Sequence, residues 1–130
     1  MNIALLGYGR MGKSIETIAL DRNHNITIKA TSSTTTFDFS ETDVAIDFSI
    51  PSTAVNNIKK AIEAGVPVIS GTTGWLDHYD EILDYCRANN GTFLYASNFS
   101  LGVNIFFEIN SRLSQLMASV EGYSTEIEEI

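Results

Sequence analysis

The sequence feature that most constrains the fold is the stretch NIALLGYGRMG at residues 2–12. An apolar run ends at Gly7, and two more glycines follow at Gly9 and Gly12, which gives the spacing G-x-G-x-x-G. In a strand–turn–helix unit, such glycines permit a tight turn, a close approach of the backbone to a pyrophosphate, and close packing of the helix on the sheet. The spacing therefore predicts dinucleotide binding at the helix start. The alternative is that the glycines serve only the turn and the packing.

The rest of the chain alternates between short apolar runs and amphipathic stretches. Strands are predicted over 2–7, 25–31, 43–49, 66–70, 92–97 and 123–130, and helices over 11–21, 51–65, 77–90 and 103–119. This order predicts an α/β fold, a Rossmann-like doubly wound parallel sheet with helices on both faces. A length of 130 residues suits one domain.

Several residues mark the predicted helix ends and faces. We expect Gly65 to end the second helix in a left-handed conformation, Asp77 to cap the third helix, and Gly91 to stop it. The last helix is expected to bury the apolar residues Ile105, Phe106, Ile109, Leu113 and Leu116.

Composition excludes some classes of function. A net charge of −8, with eight scattered basic residues, argues against binding to nucleic acid. The apolar runs are too short to span a membrane, and a single cysteine, Cys86, indicates a reducing cytoplasm. The sequence contains no pattern typical of a metal site.

The polar and glycine-rich segments follow the predicted strands, so they should meet at the carboxyl edge of the sheet. An NAD-selective unit usually carries an acidic residue there, at the end of its second strand. Here Thr31 and Ser32 take that place, which weakly favours NADPH, while Lys29 is expected to point away.

Four motifs, GYGRMGKSI, AIDFSIP, VISGTTGW and ASNFSLGVN, occur together and in this order. In this the chain resembles the N-terminal half of the 4-hydroxy-tetrahydrodipicolinate reductases (dihydrodipicolinate reductases), enzymes of diaminopimelate and lysine biosynthesis. The resemblance covers essentially all of the chain. It implies that residues 1–130 form an incomplete NAD(P)-binding domain, and that the family's substrate and tetramerisation domain is absent from this sequence.

The resemblance also implies a set of residues that bind NADPH or NADH. The pyrophosphate would be held by Gly7, Tyr8, Gly9, Arg10, Met11 and Gly12; the cofactor's ribose and nicotinamide would be lined by Phe48, Ser49, Gly71, Thr72, Thr73, Ala96, Ser97, Asn98 and Phe99. Thr73 would lie nearest the substrate. The residues alone leave other roles open: a solvated Arg10, a core Phe48, a turn-capping Ser49, a loop-bracing Asn98 and, for Trp75, either the substrate side or the core.

The implied activity is hydride transfer from NAD(P)H to a cyclic imine-type dicarboxylate, in a homotetrameric cytoplasmic enzyme. The family's His-His motif, lysine and DAPSGT stretch would follow a segment like TEIEEI, and none is present here. We therefore expect no catalytic residue within this chain. The alternative, from another class, is a stand-alone NAD(H)-sensing module without catalysis.

Overall fold

The computed structural model describes residues 1–126 and 128. The chain divides into two compact units, Met1–Ser97 and Asn98–Ile130. Over the described residues, no helix is both long and apolar enough to cross a membrane.

The first unit contains five strands that alternate with helices. They are β1 (Asn2–Leu6), α1 (Arg10–Asp21), β2 (Asn25–Ala30), β3 (Val44–Asp47), α2 (Pro51–Glu63), β4 (Val68–Ser70), a short 3-10 helix (Leu76–His78), α3 (Tyr79–Ala88) and β5 (Phe93–Tyr95). Each element falls within or beside the range that the hydrophobic pattern predicts. The stretch between β2 and β3 is an irregular connection.

The five strands form one parallel sheet in the order β2-β1-β3-β4-β5. Strand β1 lies between β2 and β3, because β2 pairs with one of its edges and β3 with the other. The strand order therefore reverses at β1. In open α/β sheets, ligands bind beyond the carboxyl ends of the strands at such a reversal.

Apolar residues cover both faces of the sheet, which confirms the doubly wound arrangement. On one face Ile58 and Ile62 of α2 and Ile82 of α3 pack against the strands, all of them fully buried. On the other face, Ala19 of α1 packs against Ile3 and Leu5 of β1.

The ends of α3 differ from the sequence-based prediction. The segment begins as the 3-10 helix, and neither helix has a side-chain cap, so the prediction of Asp77 as N-cap is wrong. The left-handed residue at the end of α3 is Asn90, with φ of 49°, rather than Gly91. A glycine is needed at 91 for space, because a Cβ there would lie 2.8 Å from Ile62 Cγ2. Gly65 has φ of +70° after α2, as predicted.

The second unit contains one helix, α4 (Leu101–Met117), among its described residues. The Ser100 hydroxyl caps it by accepting a hydrogen bond from the Val103 N–H at 3.4 Å. No residue of α4 is buried, so the predicted buried side of this helix is wrong. Residues 123–126 and 128 are not in a strand, and the remainder of the strand predicted over 123–130 lies outside the described residues.

Candidate functional site

A cleft of about 370 Å³ opens at the carboxyl ends of β1, β2 and β3. It brings together residues from the glycine loop, the turn after β2, the loop after β3 and the start of α2. The lining residues are Gly7, Tyr8, Gly9, Thr31, Ser32, Thr34, Phe48, Ser49, Ile50, Thr53, Asn56 and Asn57. The size is within the range of small-molecule sites.

Two of the loop glycines are required by close backbone contacts. Gly7 has φ of +107°, and a Cβ there would lie 2.2 Å from the Phe48 carbonyl oxygen. A Cβ on Gly12, which is buried in the first turn of α1, would lie 2.4 Å from the Gly7 carbonyl oxygen. These two glycines let the loop after β1 pack against the loop after β3 and against α1.

Gly9 differs because a Cβ there would meet no atom within 4 Å. It lines the cleft and directly precedes α1, with φ of −89°. No steric contact within the chain therefore requires a glycine at this position. The absent side chain leaves space in the cleft beside the helix start.

The helix start offers hydrogen-bond donors to an anion. The N–H groups of Gly7 and Tyr8 are already used within the protein, because both donate to the Ala30 carbonyl, at 3.1 and 2.6 Å. The first bond of α1 runs from Lys13 N–H to Gly9 C=O at 3.0 Å, which leaves the amides of residues 10–12 without an acceptor in the helix. The first turn carries no acidic residue, and Arg10 is exposed beside it. Both features suit a phosphate group.

Tyr8, in one wall of the cleft, is held by an ionic cluster. Its hydroxyl donates to Glu16 Oε2, Glu16 Oε1 pairs with Lys29 Nζ at 2.5 Å, and that ammonium lies 5.4 Å from the Tyr8 ring centroid. The hydrogen bonds from Lys29 and Tyr8 lower the pKa of Glu16, and the bond to Glu16 raises the pKa of Tyr8. Lys29 is thereby paired with Glu16, in line with its expected direction away from the cleft.

Hydroxyl groups form the turn after β2. Thr31 N–H donates to Thr34 Oγ1 at 3.0 Å, and the Thr31 and Ser33 hydroxyls lie 2.9 Å apart. Ser32 is exposed and lines the cleft. No carboxylate is among the lining residues described for this cleft.

The loops after β3 and β4 are linked by the buried carboxylate of Asp47. The Ser49 and Thr72 hydroxyls donate to it, each at 2.7 Å, and Thr72 Oγ1 also accepts the Ser49 N–H at 2.8 Å. Thr72 is buried, so its hydroxyl is used within the protein, whereas the neighbouring Thr73 is exposed. The half-buried Phe48 ring covers Gly71, where a Cβ would lie 2.2 Å from Phe48 Cε1.

The other residues implied by the resemblance do not line this cleft among the described residues. Ala96 N–H donates to the Ser70 carbonyl at 3.2 Å at the end of β5, and Ser97 is exposed. In the second unit, Asn98 Oδ1 accepts the Ser100 N–H at 2.8 Å, which braces the turn before α4, and Phe99 is exposed. Met11 is also exposed.

Trp75 belongs to the core. It is 2% exposed, its indole N–H donates to the Thr72 carbonyl at 2.7 Å, and its ring packs on Phe93 and Tyr95. Within residues 1–126 and 128, no three His, Cys, Asp or Glu residues are grouped as a metal site would require.

Five of the lining residues were not predicted from the sequence: Thr34, Ile50, Thr53, Asn56 and Asn57. Three of these residues share a spacing in the sequence that could have identified them. Thr53, Asn56 and Asn57 recur at positions i, i+3 and i+4 of α2, which places these polar side chains on one helix face. Asn57 is 7% exposed and lines the cleft.

Comparison with known proteins identifies relatives along the whole chain. Residues 18–99 match the family model described as dihydrodipicolinate reductase, N-terminus. The chain is 52% identical to the 4-hydroxy-tetrahydrodipicolinate reductase of Christiangramia forsetii over 132 aligned positions, which covers 100% of this chain and 55% of that protein. It is 36% identical over 91 positions to the enzyme of the same name from Methanopyrus kandleri, covering 69% and 33%.

The chain thus spans about half the length of the first of these relatives and a third of the second. Among solved structures, a hyperthermophilic archaeal homoserine dehydrogenase in complex with NADPH superposes with a TM-score of 0.57. It is 17% identical, and the match covers 72% of this chain and 43% of that one. This likeness supports the Rossmann-like fold.

Proposed function

The chain belongs to the dihydrodipicolinate reductase family, and on that premise we propose that it is the cofactor-binding part of a 4-hydroxy-tetrahydrodipicolinate reductase. The bound cofactor would be NADPH or NADH, which supplies a hydride to a cyclic imine-type dicarboxylate. The reductase activity, its substrate and a homotetrameric cytoplasmic enzyme belong to this proposal. A stand-alone NAD(H)-sensing module is not favoured, because the curated relatives are named as reductases.

The observation that carries the proposal is the vacant space beside Gly9. A Cβ on Gly9 would meet no atom, yet this position directly precedes a 12-residue helix whose first amides lack acceptors in the helix. A pyrophosphate fits both features, because it needs close approach to the backbone and receives hydrogen bonds and favourable dipole interaction there. We assign this contact to the amides of Arg10, Met11 and Gly12, with the Arg10 guanidinium nearby.

The remaining lining residues support an extended dinucleotide on either side of that contact. Thr31 and Ser32 would face the adenosine ribose, and Phe48 and Ser49 the nicotinamide side. By the resemblance, Gly71, Thr73, Ala96 and Ser97 would lie at the nicotinamide end, with Thr73 nearest the substrate; Thr72 would hold the loop in place.

Calorimetric titration of NADPH and NADH into the chain tests the proposal. We expect saturable, weak binding of both, since the cleft is open and the chain spans about half of the first relative and a third of the second. A chain that binds neither nucleotide at millimolar concentration would contradict the proposed function.

A further inference from the structure

The first unit buries one acidic side chain among its described residues, the carboxylate of Asp47, the last residue of β3. It is 0% exposed and accepts four side-chain hydrogen bonds. Ser49 Oγ and Asn57 Nδ2 donate to Oδ1 at 2.7 and 3.2 Å, and Ser70 Oγ and Thr72 Oγ1 donate to Oδ2 at 2.8 and 2.7 Å. All four donors are neutral. Among the described residues, no cation lies within ion-pair distance of it.

Burial of such a group is unfavourable in free energy. A carboxylate loses its hydration on burial, and here neutral donors replace that hydration without a compensating positive charge. Ala45 and Ile46, which precede Asp47 in β3, are apolar, so packing alone does not require a polar residue at position 47. The carboxylate fixes the directions of four side chains that an apolar residue could not hold.

These donors come from the segments that build one side of the cleft. Ser49 and Asn57 line the cleft itself, and Thr72 lies in the loop after β4. Through Thr72 the carboxylate also reaches the main chain, because the Thr72 hydroxyl donates to Asp47 and accepts the Ser49 N–H. Trp75 extends the network through its bond to the Thr72 carbonyl.

We propose that Asp47 is a positioning residue that holds the loops after β3 and β4 in the conformation that binds the nicotinamide half of the cofactor. Asp47 is buried and acts through Ser49 and Thr72. This inference rests on the proposed function. It predicts that loss of the carboxylate weakens contacts at the nicotinamide end and leaves the adenosine and pyrophosphate end intact, because the latter is built by α1 and the turn after β2.

The test compares NADH with ADP, which has only the adenosine and pyrophosphate half. Asp47→Asn keeps the size of the side chain but replaces one carboxylate oxygen by an NH₂ group. This group would face side chains that donate hydrogen bonds to that oxygen in the wild type. We expect NADH affinity to fall about tenfold, as for the loss of a hydrogen bond to a charged group, and ADP affinity to change by less than about twofold. Thr72→Val should reproduce this pattern, whereas Thr72→Ser, which keeps the hydroxyl, should retain NADH affinity.

A core variant away from the cleft, Ile62→Val, controls for a general loss of stability. The fluorescence of Trp75, the only tryptophan, reports the loop directly. Its emission should shift in Asp47→Asn and Thr72→Val and stay unchanged in Ile62→Val. If Asp47→Asn does not fold, the Thr72→Val and Thr72→Ser pair decides the question.

Equal losses of NADH and ADP affinity, or failure of Thr72→Ser to retain NADH affinity, would overturn the inference. So would wild-type NADH affinity in a folded Asp47→Asn chain. A wild type that binds neither NADH nor ADP would instead contradict the proposed function, and the inference would fall with it. The two failures are therefore distinguishable.

Discussion

The carbonyl oxygen of Gly7 lies 2.4 Å from the position that a Cβ on Gly12 would occupy. A Cβ on Gly9, between them in the sequence, would have no non-neighbouring atom of the described residues within 4 Å. The G-x-G-x-x-G spacing thus contains glycines of two kinds. Gly7 and Gly12 are required by contacts inside the protein, and Gly9 leaves open space, which we propose receives the cofactor.

This difference predicts that alanine substitutions at Gly12 and Gly9 have unequal effects on stability. Gly12→Ala should lower the free energy of unfolding by about 1–3 kcal/mol, because the new methyl group overlaps backbone that cannot move easily. Gly9→Ala should change it by less than about 0.5 kcal/mol, since the site is open and φ is negative. Urea unfolding of the two variants measures both values. Equal destabilisation would mean that the space beside Gly9 is part of the packing.

Cofactor preference is predicted to depend on Ser32. Neutral hydroxyls at Thr31 and Ser32 can donate to a 2′-phosphate, and Lys29 is engaged by Glu16, so we expect dual use with a roughly tenfold preference for NADPH. Ser32→Asp should reverse this preference, because a carboxylate would face the phosphate. Titration of both cofactors into each protein gives the ratio.

Ser40→Asp is the matched control, because it adds the same charge at an exposed position outside the cleft lining. It should leave the ratio of the two affinities unchanged. A wild type that prefers NADH tenfold, or a Ser32→Asp chain with the wild-type ratio, would show that this turn does not contact the ribose.

The ionic cluster at Tyr8 predicts a pH dependence of stability. Lys29 and Tyr8 lower the pKa of Glu16 below its ordinary value of 4.5, so the folded state binds this proton less readily than the unfolded chain does. The stabilisation is complete above about pH 4.5 and is lost as the pH falls through the lower folded-state pKa. Glu16→Gln should therefore reduce stability near neutral pH and flatten its decline below pH 4.5.

Unfolding in urea at several pH values between 3 and 7 measures this profile, with Glu41→Gln at an exposed position as the control. A Glu16→Gln profile parallel to that of the wild type would show that the cluster does not contribute to folding.

The sheet and its helices could be predicted from the sequence, because period and turn chemistry are local properties. The bounds of the five strands of the sheet were correct to within one or two residues, whereas the sixth strand predicted over 123–130 is not found among the described residues there. Gly65 adopts the expected left-handed conformation. The cap of α3 was wrong because the chain enters through a 3-10 turn, and the role of Gly91 depends on Ile62, a contact with a distant part of the chain.

The glycine loop and the residues after β2 and β3 were found because they follow strands in a parallel sheet. The function of Asp47 was not foreseen. In the sequence it is one acidic residue at the end of an apolar run, and its four donors come from three separate segments. The predicted buried side of α4 was wrong, since a helical period shows that a face is apolar but does not supply a surface to cover it.

Catalysis is predicted to be absent from this chain on its own. The chain spans 55% of the length of the first curated relative, and the described lining of the cleft contains no His, Lys, Cys, Asp or Glu side chain. The purified chain, supplied with NADPH and the cyclic dicarboxylate, should show no oxidation of NADPH above background at 340 nm. Detectable reduction of the imine would contradict this prediction.

We propose that the space beside Gly9 receives the cofactor's pyrophosphate. Calorimetric titration of NADPH into the wild type and into Gly9→Asp tests this assignment. We expect Gly9→Asp to remain folded, because a Cβ there has no non-neighbouring atom of the described residues within 4 Å, and to lose NADPH binding, because a side chain and a negative charge would occupy the phosphate position. A folded Gly9→Asp chain with wild-type NADPH affinity would show that the pyrophosphate does not bind beside Gly9.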